Sequence, residues 1–91
     1  MATMHNPASP GELLREFLGS HSITELAAHT GVSRATVSRI LNGRTAVTVD
    51  LSIRLGQALG LSTDFFSRAQ LQYDHWTESQ KKRPKIKPLA A

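Results

Sequence analysis

The sequence predicts an all-α fold, a compact bundle of five helices, from three observations. Apolar residues recur at helical spacing in five separate segments. A serine or threonine heads each segment, where its oxygen can take one of the unpartnered N–H groups of a first turn. No stretch of four or more residues alternates apolar and polar side chains with β-branched content, apart from the short "TAVTV" that follows a turn. Ninety-one residues make one small domain, and no internal repeat divides it. A chain of this size draws part of its stability from tight helix packing or from a partner.

Taken in order, Ser9 caps "PGELLREFL", with Pro10 in the first turn, where its missing N–H is no loss. Leu13, Leu14, Phe17 and Leu18 share one face of that helix. Ser22 caps "ITELAAHT", whose stripe is Ile23, Leu26 and Ala27, and Gly31 can end it in a left-handed conformation. Ser33 caps "RATVSRIL", with Val37, Ile40 and Leu41 inward and Asn42-Gly43 as the stop. Thr48 caps "VDLSIRLGQALG", with Asp50 at the positive end of the helix dipole, a stripe of Leu51, Leu55 and Leu59, and Gly60 as its close. Thr63 caps "DFFSRAQLQYDHWTESQ", again with an acid, Asp64, in the first turn. The folded unit is thus expected over residues 9–80, between a flexible N-terminal segment at 1–8 and a basic, disordered tail at 81–91.

The net charge of +4 has a location. Residues 1–80 carry six basic and seven acidic side chains, a net of −1. Residues 81–91, "KKRPKIKPLAA", carry Lys81, Lys82, Arg83, Lys85 and Lys87 and no acid. A second acid-free stretch runs from Leu26 to Val49 and holds Arg34, Arg39 and Arg44. Positive charge patterned in this way points toward a polyanion.

Residues 22–43 have the spacing of a helix-turn-helix: two helices of about eight residues joined by "HTGVS". On a wheel of about 100° per residue, Val37, Ile40 and Leu41 cluster on one side of the second helix. Ala35, Ser38 and Arg39 lie opposite, with Arg34 and Thr36 on the flanks. Solvated faces normally mix signs, because opposite charges one turn apart help a helix; this one does not. Small side chains allow close approach, and arginine reads guanine O6 and N7 with two hydrogen bonds in the major groove. Arg34, Ala35, Thr36, Ser38 and Arg39 are therefore the expected base contacts. Arg44, just past the helix stop, and the helix start at Ser33 with its N–H groups are expected at phosphates, as are the cap residues Ser22 and Thr48; Asn42 is added to them by the family resemblance that follows.

"SPGELLREF", "NGRTAVTVD", "RLGQALG" and "DFFSRAQLQYD", in that order, resemble the HigA-type antitoxins. These form a branch of the Xre/lambda-repressor-like helix-turn-helix proteins, and the resemblance runs from about Pro7 to Trp76. It implies a lambda-repressor-like bundle that dimerises and represses its own operon. It also implies a protein partner, an mRNA-cleaving toxin of the RelE-like (HigB) class that such a protein neutralises. Against the family pattern, Ser9 replaces a usual histidine, Ile23 a polar residue, Phe66 a tryptophan, and Ser67-Arg68 interrupt an apolar stretch.

Other chemistry finds little support. With no cysteine there is no disulfide, thiolate nucleophile or cysteine-bound zinc, as suits the cytoplasm. His5, His21, His29 and His75 have no ligand spacing, so no metal or cofactor is expected. No serine sits in a nucleophile-elbow context, so neither catalysis nor a small-molecule substrate is expected. No apolar run is long enough to span a membrane, and "MATMHNPASP" lacks the order of a secretion signal. Glu12, Glu16 and Glu25 are either solvated or a docking surface for the basic toxin. Phe65 and Phe66 belong to the core, whereas Tyr73 and Trp76 are expected to form a homodimer contact. The tail could aid solubility, lie along DNA or fold on the toxin. Two alternatives to an antitoxin stay open: a phage-type or metabolic regulator without a toxin, and an interaction module that has lost DNA binding.

Overall fold

The computed structural model describes residues 6–90, so His5 and most of the N-terminal segment lie outside the described residues. Five helices follow one another: α1 (Pro10–Leu18), α2 (Ile23–Thr30), α3 (Arg34–Leu41), α4 (Val49–Leu59) and α5 (Phe65–Ser79). Among the described residues there is no strand.

The first four helices start where the sequence places them, because a hydroxyl closes each first turn. Ser9 Oγ accepts the Glu12 N–H at 3.2 Å, Ser22 Oγ the Glu25 N–H at 3.0 Å, Ser33 Oγ the Thr36 N–H at 3.1 Å, and Thr48 Oγ1 the Leu51 N–H at 3.2 Å. In α1 and α2 the glutamate answers. The Glu12 carboxylate accepts the Ser9 N–H at 2.9 Å, and the Glu25 carboxylate accepts the Ser22 N–H at 3.0 Å. These are reciprocal capping boxes. The histidine usual at position 9 is thus replaced by a residue with a capping task.

The fifth helix corrects the expectation of a Thr63 cap. Asp64 occupies the cap position and makes no side-chain cap bond, its carboxylate lying 3.2 Å from Arg68 Nε instead. Ser52, fully buried on α4, supplies the missing oxygen: its Oγ accepts the Ser67 N–H at 2.9 Å and donates to the Thr63 carbonyl at 2.7 Å. A neighbouring helix has taken over the cap, and Thr63 contributes its carbonyl rather than its hydroxyl.

Leu14, Leu26, Val37, Ile40, Leu55 and Phe66 make the centre of the core, joined by Val47 from the loop before α4. Ile23 packs half-buried against it, and Phe66, in the tryptophan's place, is completely enclosed. Phe17, Phe65 and Phe66 meet edge to face, with ring centroids 5.3 and 5.1 Å apart. The closest approach is between α1 and the end of α3. A Cβ on Gly11 would come within 2.3 Å of the Ile40 carbonyl oxygen and 2.9 Å of that of Leu41. Only glycine permits that crossing, which brings α1 against the backbone of α3.

Candidate nucleic-acid interface

The turn between α2 and α3 is fixed from three sides. Gly31 takes φ +73°, a left-handed value that glycine adopts without strain. Buried Thr30 donates its hydroxyl to the Leu26 carbonyl at 2.7 Å and accepts the Val32 N–H at 3.2 Å. Arg54 on α4 donates to the Thr30 carbonyl at 2.8 Å while its Nε lies 3.0 Å from Asp50. The end of α2 is thereby tied to α4, and α3 is presented at a fixed angle.

On α3 the inner residues Val37, Ile40 and Leu41 are all buried, as their spacing predicts. Arg34, Ala35 and Arg39 are exposed, and Thr36 and Ser38 are half-buried beside them. A hydrogen-bonded row organises this face. The Ser33 hydroxyl donates to Thr36 Oγ1 at 2.9 Å, and Arg39 Nη2 donates to the same oxygen at 3.2 Å. One donor of the guanidinium is thus used to orient the group and the rest stay available. At the far end, Asn42 Nδ2 donates to the Ser38 carbonyl at 2.9 Å, and the Arg44 N–H donates to the Arg39 carbonyl at 2.8 Å. Arg44 is therefore seated against the C-terminus of the helix that carries Arg39.

Charge pairing separates this surface from α4 and α5. Arg54, Arg68, Lys81 and Arg83 each meet a carboxylate within 3.4 Å. Among the described residues, no carboxylate lies within ion-pair distance of Arg34, Arg39 or Arg44. The structure thus brings Ser33, Arg34, Ala35, Thr36, Ser38, Arg39, Asn42 and Arg44 together on one helix and its exit. Thr48 follows on the next cap; its oxygen takes the Leu51 N–H, and among the described residues no acceptor takes its O–H. Ser22 stands differently. Its hydroxyl and its N–H are both engaged with Glu25, whose carboxyl is held below the ordinary glutamate value by the Ser22 N–H and by His21. Any phosphate at Ser22 would meet that negative charge.

The acidic and aromatic candidates are dispersed. Glu12 and Glu25 close the capping boxes, and Glu16 is exposed. The two boxes were readable as S-x-x-E at 9–12 and 22–25. Tyr73 and Trp76 are half-buried, Tyr73 lining an open groove of about 300 Å³ with Pro10, Gly43, Arg44 and Asp74. More exposed apolar surface lies elsewhere: Leu71 on α5 and Val49 on α4 are each 69% exposed. Val49 and Ile53, an i, i+4 apolar pair outside the leucine stripe, carried a signal; isolated Leu71 did not.

Residues 12–66 match the helix-turn-helix family model. Antitoxin HigA-1 of Vibrio cholerae serotype O1 is 38% identical over 93 aligned positions, which cover 96% of this chain and 88% of that protein. The chain belongs to the HigA-type antitoxins of the helix-turn-helix family. Its five-helix bundle is shared with solved HigA structures. The Pseudomonas aeruginosa antitoxin HigA with the higBA promoter matches at 35% identity and a TM-score of 0.75, covering 81% of this chain and 84% of that one. The Pseudomonas aeruginosa protein PA4674, in complex with its operator DNA, matches at 33% identity and a TM-score of 0.82, covering 96% of this chain and 100% of that one. Both were solved with DNA, which makes the unpaired face of α3 in this HigA-type chain the surface to weigh for the same task. Among the described residues, no helix is long and apolar enough to cross a membrane.

Proposed function

We propose that this HigA-type chain is a sequence-specific DNA-binding antitoxin that represses its own operon and neutralises an mRNA-cleaving, RelE-like toxin. The α3 surface carries the reading: a rigidly presented helix whose Arg34 and Arg39 face outward with no carboxylate beside them. Arg34, Ala35, Thr36, Ser38 and Arg39 read base edges, while Ser33, Asn42, Arg44 and Thr48 hold phosphates. Ser22 is the weakest member of the phosphate set because Glu25 already occupies it. The protein works by binding rather than catalysis, and in the cytoplasm.

We place a homodimer contact on α5, where Tyr73 and Trp76 keep part of their rings uncovered. Leu71, about 200° from Tyr73 around the helix, offers a second apolar anchor on the opposite flank. Glu12, Glu16 and Glu25, spread over α1 and α2, are our candidates for contact with a basic toxin, with Glu12 and Glu25 already serving as caps.

The test joins two measurements. Binding to the DNA preceding its reading frame should exceed binding to the same bases shuffled. Co-expression with the adjacent gene product should lift that product's growth arrest. Operator preference without rescue would leave a regulator lacking a toxin. Rescue without operator preference would remove the repressor role.

A further inference from the structure

The tail is the strongest charged feature that the α3 surface does not use. Lys81 Nζ lies 2.7 Å from Glu78 Oε1, and Arg83 Nη2 lies 3.4 Å from Glu78 Oε2 while donating to the Glu78 carbonyl at 2.7 Å. These contacts clamp the base of the tail to the end of α5 and neutralise part of it. Lys82, between the two clamping residues, and Lys85 and Lys87, beyond them, have no carboxylate within ion-pair distance among the described residues. Residues 81–90 are exposed throughout and in no helix or strand. The described chain measures 53 × 24 × 23 Å, with a radius of gyration of 16.0 Å. A compact chain of this length would have about 12 Å, so the tail projects.

We propose that this projection is a sequence-independent arm that lies along the phosphates of the duplex bound by α3; the inference rests on the DNA-binding reading above. Three observations favour DNA over a protein partner. Tyr73 and Arg44 line the same groove, so α5, which carries the tail at its far end, passes the exit of the recognition helix. From Pro84 to Ala90, at about 3.3 Å per residue, the arm can extend roughly 23 Å past the clamp. Lys85 and Lys87 are then about 7 Å apart, close to the separation of successive phosphates on one strand. Residues 1–80 have a net charge of −1, so outside the local α3 surface the folded unit has no positive excess to draw a duplex in.

The experiment uses the full chain carrying Lys82→Gln, Lys85→Gln and Lys87→Gln together. A second variant, Ile86→Ser with Leu89→Ser, keeps the charge and removes the two exposed apolar side chains of the tail. Each is titrated by fluorescence anisotropy against the DNA preceding its reading frame and against the same bases shuffled, over a range of salt. Three lost phosphate contacts should make the log–log salt slope of the lysine variant shallower by about 2.7 per arm. Between about 50 and 200 mM salt the wild-type chain should therefore lose about 40-fold more affinity per arm than this variant. Both duplexes should be affected alike, and the serine variant should match wild type. An unchanged slope in the lysine variant, or an equal loss in the serine variant, would overturn the arm. If the wild-type chain prefers neither duplex but the lysine effect persists, the arm stands and operator recognition falls.

Discussion

At the scale of single residues, Arg39 is held by Thr36 and Arg44 by the Arg39 carbonyl, so the two arginines do different work. Arg39→Ala should weaken operator binding by about 1–3 kcal/mol and relax preference at one base pair per half-site. Arg44→Ala should weaken all sequences similarly and lower the salt slope by about 1. Competition binding with single-base operator variants separates the two, and equal behaviour of both variants on every duplex would contradict the assignment. Glu12 and Glu25 give a pH dependence of known sign. Each carboxyl is held below the ordinary glutamate value of 4.5, first by the backbone N–H of its cap serine. A depressed value means that the stability conferred is complete above the ordinary value and is lost as pH falls through the lowered one. Glu12→Gln and Glu25→Gln should therefore melt below wild type by a constant margin near neutrality, and that margin should shrink in acid. Melting curves across the acid range provide the check; a margin that widened in acid would reverse the sign.

At the scale of elements, the buried hydroxyl of Ser52 joins α4 to the start of α5. Ser52→Ala leaves the Ser67 N–H without its acceptor and should cost about 1–3 kcal/mol in denaturant unfolding. Gly11→Ala forces a methyl group toward the Ile40 and Leu41 carbonyls. It should destabilise the fold and also lower operator affinity, because the displaced atoms are those of α3. Ser52→Ala, acting on the far junction, should leave the operator affinity of the folded protein near wild type. How much of this was legible follows from which forces are local. The first four helix starts could be read because the cap serine or threonine and the N–H groups it serves are neighbours in sequence. The outward set on α3 could be read because helical periodicity sorts it from Val37, Ile40 and Leu41. The cap of α5 could not, since its oxygen comes from Ser52, fifteen positions before the Ser67 N–H it serves. Nor could the tie between Val47 and Gln70, twenty-three positions apart, which holds the loop after α3 against α5. The pairing of Arg54 with Asp50, one turn apart, was within reach of the sequence, but its bond to the Thr30 carbonyl, twenty-four positions away, was not.

At the scale of the whole molecule, a two-fold dimer on successive major grooves places its half-site centres about one helical turn, roughly 34 Å, apart or a multiple of that. Trp76→Ala and Leu71→Lys test the two flanks of α5. The variant that breaks the contact should sediment as a monomer and lose DNA affinity while its helix content is kept. If both variants remained dimeric, the contact would lie off α5; a monomeric wild type would remove it altogether. The Gly11 crossing adds one more consequence. Because α1 packs on α3 at Gly11, against main-chain oxygens, and because Arg34, Ala35 and Arg39 are exposed rather than part of the core, the outward letters of that helix should be open to rewriting without renegotiating the architecture beneath. Replacing them as a set with those of a relative that reads another operator should carry over the relative's preference and leave the melting temperature close to its original value. That outcome would make the fold a chassis and the outward face of α3 an exchangeable reading head.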